Sequence, residues 1–240
     1  MLAGESANEV HMGSVGSVGS AKRLFRPLES RARLVRVFFG CYVAISAVVI
    51  LAGVVASMIG VDLNSESARP AEDTPLGGAV LLLSGIALLL YVALLIICMI
   101  VFLMWLYRAR SNLPALGAAD VRWSPGWSIA CWFIPIMSLF RPYQVVKETW
   151  QASDPASLPG WRPEPPPGIF GWWWGLFLVY GFGSNATNST PTSGTPDFGK
   201  TALIDLAVLI IGIGSALCAM WIVRDITARQ TQRYQVGAFT

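Results

Sequence analysis

Hydrophobic positions in this chain fall in blocks rather than at a regular period. Five apolar stretches run from about Val37 to Val61, Gly78 to Tyr107, Gly126 to Phe140, Gly168 to Gly183 and Thr201 to Val223. Roughly 20 helical residues cross a hydrocarbon core, and three of the stretches reach that length. The third and fourth, at 15 and 16 residues, fall short, so each reads as a tilted span, a re-entrant segment or an interfacial helix. Composition agrees with a membrane location: 54% of the 240 residues are hydrophobic and 13% are charged, against about 25% charged in soluble domains.

Basic residues choose between the possible threadings, because Lys and Arg collect in cytoplasmic loops. Lys22, Arg23, Arg26, Arg31, Arg33 and Arg36 precede the first stretch and place the N-terminus in the cytoplasm. If all five stretches cross, ten of the 17 Lys and Arg lie inside and seven outside, a poor split. If Gly126 to Phe140 instead enters and leaves by the cytoplasmic face, fifteen lie inside and only Arg69 and Lys200 outside. A re-entrant fourth stretch would put Arg141, Lys147 and Arg162 outside with Lys200.

The expected fold is therefore an all-α integral membrane domain over residues 37–230. Four transmembrane helices lie at about 37–61, 78–107, 168–183 and 201–223, with a proline-broken re-entrant or interfacial helix at about 126–140. A flexible basic cytoplasmic tail, 1–36, precedes them, a cytoplasmic tail, 231–240, follows, and both termini are inside. The second stretch, thirty residues long, rises about 45 Å as a helix and overshoots a core of roughly 30 Å. Its end projects into the cytoplasm until Pro114 stops it. In this arrangement all ten Trp residues belong to the cytoplasmic side or the membrane next to it.

The third stretch carries the defects that a re-entrant helix needs. Ser124 and Pro125 suit an N-cap and a first helical turn. Pro135 removes a backbone bond to the carbonyl of Cys131 and predicts a break after about ten residues. Pro142 to Ala152 reads as a short amphipathic surface helix, with Val145, Val146 and Trp150 towards lipid or protein and Gln144, Lys147, Glu148 and Gln151 towards water. The linkers at 62–77 and 184–200 are polar and solvated.

Chemical motifs are scarce. The one histidine, His11, lies in the N-terminal tail, which argues against histidine-ligated metal or haem and against Ser-His or Cys-His pairs. Cys41, Cys98, Cys131 and Cys218 sit in apolar stretches without Cys-x-x-Cys spacing and read as small buried side chains. No cofactor, metal or nucleic acid is expected. Gly212 and Ala216 form a small-x-x-x-small pair suited to close helix packing. Asp205 is the sole ionisable residue inside an apolar stretch, which makes it a functional candidate. Its place, one turn into the last helix, favours the outer interface or an approach to Lys200.

Several linked segments resemble a known family. They are Trp105-Leu106-Tyr107-Arg108-Ala109-Arg110-Ser111-Asn112, Ser124-Pro125-Gly126-Trp127, Trp132-Phe133-Ile134-Pro135, Pro142-Tyr143-Gln144 and Glu148-Thr149-Trp150-Gln151-Ala152-Ser153-Asp154-Pro155. In this order they resemble the core of a bacterial membrane-protein family catalogued as a domain of unknown function. The likeness continues more loosely through Trp221-Ile222-Val223-Arg224 and Ala228-Arg229-Gln230. Ser138 stands where many members are expected to have Asn, and its hydroxyl can bond a carbonyl near Pro135. The resemblance implies a multi-helix bacterial integral membrane protein and supplies no reaction.

Two functional readings remain. In the first, a non-catalytic protein of the bacterial plasma membrane binds a partner protein, a second copy of itself or lipid. The candidate surface comprises Trp105, Arg108, Arg110, Asn112, Trp127, Arg141, Tyr143, Lys147, Glu148 and Trp150. In the second, a small transporter or channel uses the broken helix around Trp132, Pro135 and Ser138, whose exposed carbonyls suit an ion or substrate. An intramembrane enzyme ranks below both, since Asp205, Ser128 and Ser138 lack a second acid or base at catalytic spacing.

Overall fold

The computed structural model describes residues 25–58, 75–118, 121–154, 164–187 and 198–239, and everything described is helix, turn or coil. Residues 1–24, with His11, and residues 59–74, 119–120, 155–163, 188–197 and 240 lie outside the described residues. Helix α1 spans Glu29–Met58, α2 Pro75–Asn112, α3 Trp127–Ala130, α4 Arg141–Ala152, α5 Ile169–Thr187 and α6 Phe198–Phe239. Three-residue 3-10 turns occupy Pro114–Leu116 and Met137–Leu139.

Both outer helices extend beyond their apolar blocks because helical periodicity continues there. α1 begins at Glu29, inside the segment expected to be a flexible tail. Leu28, Ala32 and Val35 are buried while Arg33 and Arg36 stay exposed, a one-sided pattern that only a helix makes useful. α6 likewise runs to Phe239, through residues assigned by sequence to a tail. α2 ends at Asn112, as Pro114 predicts, and Gly117 closes the following 3-10 turn at φ 77°, a left-handed geometry that suits a residue without Cβ.

Three helical segments, Glu29–Ala52, Gly85–Asn112 and Leu203–Val236, are long and apolar enough to cross a membrane. No more than a third of the most apolar window of each is buried inside the protein. So much exposed Leu, Ile and Val in regular helices calls for a lipid solvent. The 19 residues of α5 add a shorter apolar helix of about 28 Å.

The described residues divide into two compact units. The first draws on the residues up to Arg33, Phe102–Pro167 and the residues from Ile222 on; the second draws on Leu34–Val101 and Gly168–Trp221. In the second, Tyr42, Cys98 and Ala216 form a core against which Phe38, Tyr91 and Leu94 pack. Gly212 and Ala216 are buried, as close packing requires. Aromatic side chains fill the room that Gly212 leaves: a Cβ there would overlap the Tyr42 hydroxyl and come within 2.8 Å of the Tyr180 ring.

The segment from Gly126 to Phe140 is broken more thoroughly than its single interior proline predicts. α3 is one turn long. Beyond it the amides of Trp132 and Phe133 donate to carbonyls only three residues back, Ile129 and Ala130, at 3.1 Å each. The ladder has thus already tightened to 3-10 spacing before Pro135 is reached. α3 starts at Trp127 behind Gly126 without a side-chain cap, so Ser124 and Pro125 precede it instead of forming its cap and first turn, although Ser124 Oγ accepts the Trp127 amide at 3.4 Å. Ser138 Oγ donates to the carbonyl of Pro135 at 2.7 Å. Phe133, Ile136 and Phe140 are left 70%, 78% and 61% exposed.

Candidate functional site

The first unit buries a set of polar side chains among apolar ones such as Phe102, Leu106, Leu113, Val145 and Ile226. α4 has the amphipathic character expected of it, burying Val145, Val146, Thr149 and Trp150. Against that face Arg110, near the end of α2, donates to Glu148 Oε2 at 2.9 Å and Thr149 Oγ1 at 3.4 Å, and to the carbonyl of Trp123. Its Nε is buried with no hydrogen-bond partner among the described residues. Glu148 uses its second oxygen to accept the Arg122 amide at 2.6 Å. One carboxylate thus joins the buried guanidinium to the loop leading into α3.

A second group closes around two amides. Asn112 accepts from the Arg26 amide at 3.2 Å and donates to the Arg26 carbonyl at 2.8 Å and to Gln230 Oε1 at 3.3 Å. Gln230 then donates to the Ala109 carbonyl at 2.9 Å and to Ser153 Oγ at 3.0 Å. Ser153 Oγ donates in turn to the Thr149 carbonyl at 2.6 Å. Asn112, Gln230 and Ser153 are all buried, and their donors and acceptors are matched, which low-dielectric surroundings demand.

Tryptophans brace this network. Trp105 Nε1 donates to Thr227 Oγ1 at 3.2 Å and Trp150 Nε1 to Asp225 Oδ2 at 2.5 Å. The Arg229 guanidinium lies 4.0 Å from the Trp150 ring centroid and pairs with Asp225 and Asp154 at 3.2 and 3.6 Å. Arg233 donates to the carbonyls of Ala152 and Asp154 at 2.7 and 3.0 Å.

Burial divides the residues singled out from sequence. Trp105, Arg110, Asn112 and Trp150 are interior. Arg108, Arg141, Tyr143, Lys147 and Glu148 are half-buried, and Trp127 is exposed. Trp132 is half-buried and packs edge-on to Phe102 at 5.8 Å; Pro135 is exposed and Ser138 half-buried. Asp205 is exposed on α6, in the other unit, and the side chain of Lys200 lies outside the described residues. Among the described residues no three His, Cys, Asp or Glu side chains group as metal ligands.

Sequence reasoning missed Trp123, Ser153, Thr227 and Gln230 as members of this network. A signal for the last two was present: Val223, Ile226, Thr227 and Gln230 recur at i, i+3, i+4 and i+7, one helical face continued past the apolar block. Ser153 stood inside a quoted motif without an assigned role.

The described residues define a helical protein with three helices long and apolar enough to cross a membrane and a polar, tryptophan-braced unit. The chain belongs to the family described as Domain of unknown function (DUF4328), which matches residues 76–228. Comparison with the curated proteins and with the solved structures finds no match. The family region takes in the Arg110-Glu148 pair and Asn112, while Gln230 lies two residues beyond its end.

Proposed function

We propose that this is a non-catalytic protein of the bacterial plasma membrane that binds a membrane partner or lipid through a cytoplasmic aromatic and basic surface. Four helices span the bilayer, the broken segment 126–140 dips into the cytoplasmic interface, and both termini are cytoplasmic. Supporting this threading are the positive-inside count and the length of α5, which at 19 residues is close to a minimal span.

The observation that carries the binding reading is the surface of the segment leading into α4. Phe133, Ile136 and Phe140 are mostly exposed, the most exposed large apolar side chains among the described residues of their unit, and Arg141 follows directly. Aromatic and aliphatic side chains beside cations fit a headgroup boundary or a membrane-embedded partner. The interior network of Arg110, Asn112 and Gln230 then serves as the rigid support of that surface.

Native mass spectrometry of the protein released from its own membrane tests the proposal. A retained stoichiometric protein or lipid is expected. A bare chain with neither, in a preparation that keeps known membrane complexes intact, would overturn it. Flux through proteoliposomes that disappears in Pro135→Ala or Ser138→Ala would favour a transporter instead.

A further inference from the structure

We infer that Arg122 and Arg141 form a binding site for the phosphate of an anionic phospholipid, with the Trp123 indole as their shared platform. The inference rests on the lipid-binding side of the function just proposed and names its chemistry. The two guanidinium carbons lie 5.1 and 4.5 Å from the centroid of the same Trp123 ring. Each gains a cation-π contact, and the two guanidinium carbons, no more than about 9.6 Å apart by these distances, together make a positive patch that favours an anion.

Among the described residues no carboxylate is placed to serve as that anion. Glu148 is committed, one oxygen to Arg110 and the other to the Arg122 backbone amide. Among the described residues neither the Arg122 nor the Arg141 guanidinium has a carboxylate within ion-pair distance. Arg141 donates only to the amide oxygen of Gln144, at 3.0 Å. Planar guanidinium forks are suited to paired hydrogen bonds with phosphate oxygens. Arg110 holds the Trp123 backbone through its carbonyl, which removes part of the ordering that binding would otherwise require.

The apolar surroundings select a lipid over a soluble phosphate. Phe140 immediately precedes Arg141 and is 61% exposed, and Ile136 is 78% exposed on the same short segment. A headgroup phosphate attached to acyl chains satisfies both the cations and these side chains, whereas a free phosphate leaves the latter in water.

The test uses the full chain in detergent, titrated with phosphatidylglycerol or phosphatidylcholine and followed by native mass spectrometry. Phosphatidylglycerol should be retained preferentially. The variant Arg122→Gln/Arg141→Gln should lose about tenfold of that affinity, equivalent to about 1.4 kcal/mol, while keeping the parent melting temperature. Should that variant misfold, Arg122→Lys/Arg141→Lys keeps the charge, loses the fork and is expected to bind at an intermediate level. Unchanged phosphatidylglycerol retention in a folded double variant would overturn the site while leaving lipid binding in place. Equal retention of the two lipids by the parent protein would overturn the anionic-headgroup site while leaving lipid binding in place, and retention of neither would overturn the lipid reading itself. Displacement of phosphatidylglycerol by millimolar inorganic phosphate would show a soluble-phosphate site and overturn the lipid assignment.

Discussion

Arg110 and Glu148 meet at 2.9 Å, with 1% and 24% of their side-chain surfaces exposed. The pair is thus buried at the cationic end and open to water at the acidic end. Removal of one member of a buried pair costs roughly 3–5 kcal/mol, because the other is left charged without a partner. The partial exposure of Glu148, and the bonds Arg110 keeps to Thr149 and Trp123, place Glu148→Ala near the lower end, about 3 kcal/mol. Thermal or denaturant unfolding in detergent should show this loss, and a melting temperature equal to the parent's would contradict the structural role of the pair.

Gln230 requires an amide in one orientation. Its nitrogen faces the Ala109 carbonyl and Ser153 Oγ, and its oxygen faces the Asn112 amide. Gln230→Glu replaces the donor with an oxygen that opposes the Ala109 carbonyl. An unsatisfied buried group costs about 1–3 kcal/mol and a charged one more, so this near-isosteric change should destabilise the protein by at least about 2 kcal/mol. If Gln230→Glu unfolds with the parent, the assigned orientation is wrong.

Gly212 and Tyr42 offer a steric test in the second unit. Gly212→Ala places a methyl group against the Tyr42 hydroxyl and the Tyr180 ring, and overpacking of this kind costs about 1–3 kcal/mol. Tyr42→Phe removes the hydroxyl that the added methyl group would meet. Combined with Gly212→Ala it should recover part of the loss. A double-mutant cycle in unfolding experiments measures the coupling, and strict additivity would rule out the predicted clash.

The interfacial placement of 126–140 can be checked by labelling in a cysteine-free background. Under the proposed threading, Ile136→Cys is shielded from a charged maleimide by the bilayer and becomes reactive in detergent. Ser157→Cys should react in inverted vesicles but not from outside intact cells. Labelling of Ser157→Cys from outside would reverse the threading of everything that follows it.

The apolar blocks made α1, α2, α5 and α6 legible, because helices of that length and composition have few other uses. Their ends were not. At both extremities the apolar block stops while the helical face continues, through Ala32 and Val35 in α1, with Leu28 just before it, and through Ile226, Thr227 and Gln230 in α6. Counting hydrophobic residues misses a face on which Thr and Gln stand in for Leu. α3 was overestimated for a different reason: Pro135 is the visible breaker, but the change to 3-10 bonding begins at Trp132. The interior position of Arg110 and Asn112 was hidden because it depends on residues far along the chain. A cation and an amide at the end of a span look like surface until Glu148, Arg26 and Gln230 are brought to them.

Those distant partnerships bear on the order in which the molecule can be made. Asn112 bonds to Gln230 across 118 residues, and Thr231 donates to Glu29 across 202. Bonds of such separation must await the last helix. Until α6 leaves the ribosome, Asn112 and Ser153 lack the partner that joins them, although the preceding apolar helices are already synthesised. A chain truncated before Gln230 would therefore carry an unfinished polar cluster into the membrane, a defect that quality-control proteases can sense without reading any active site.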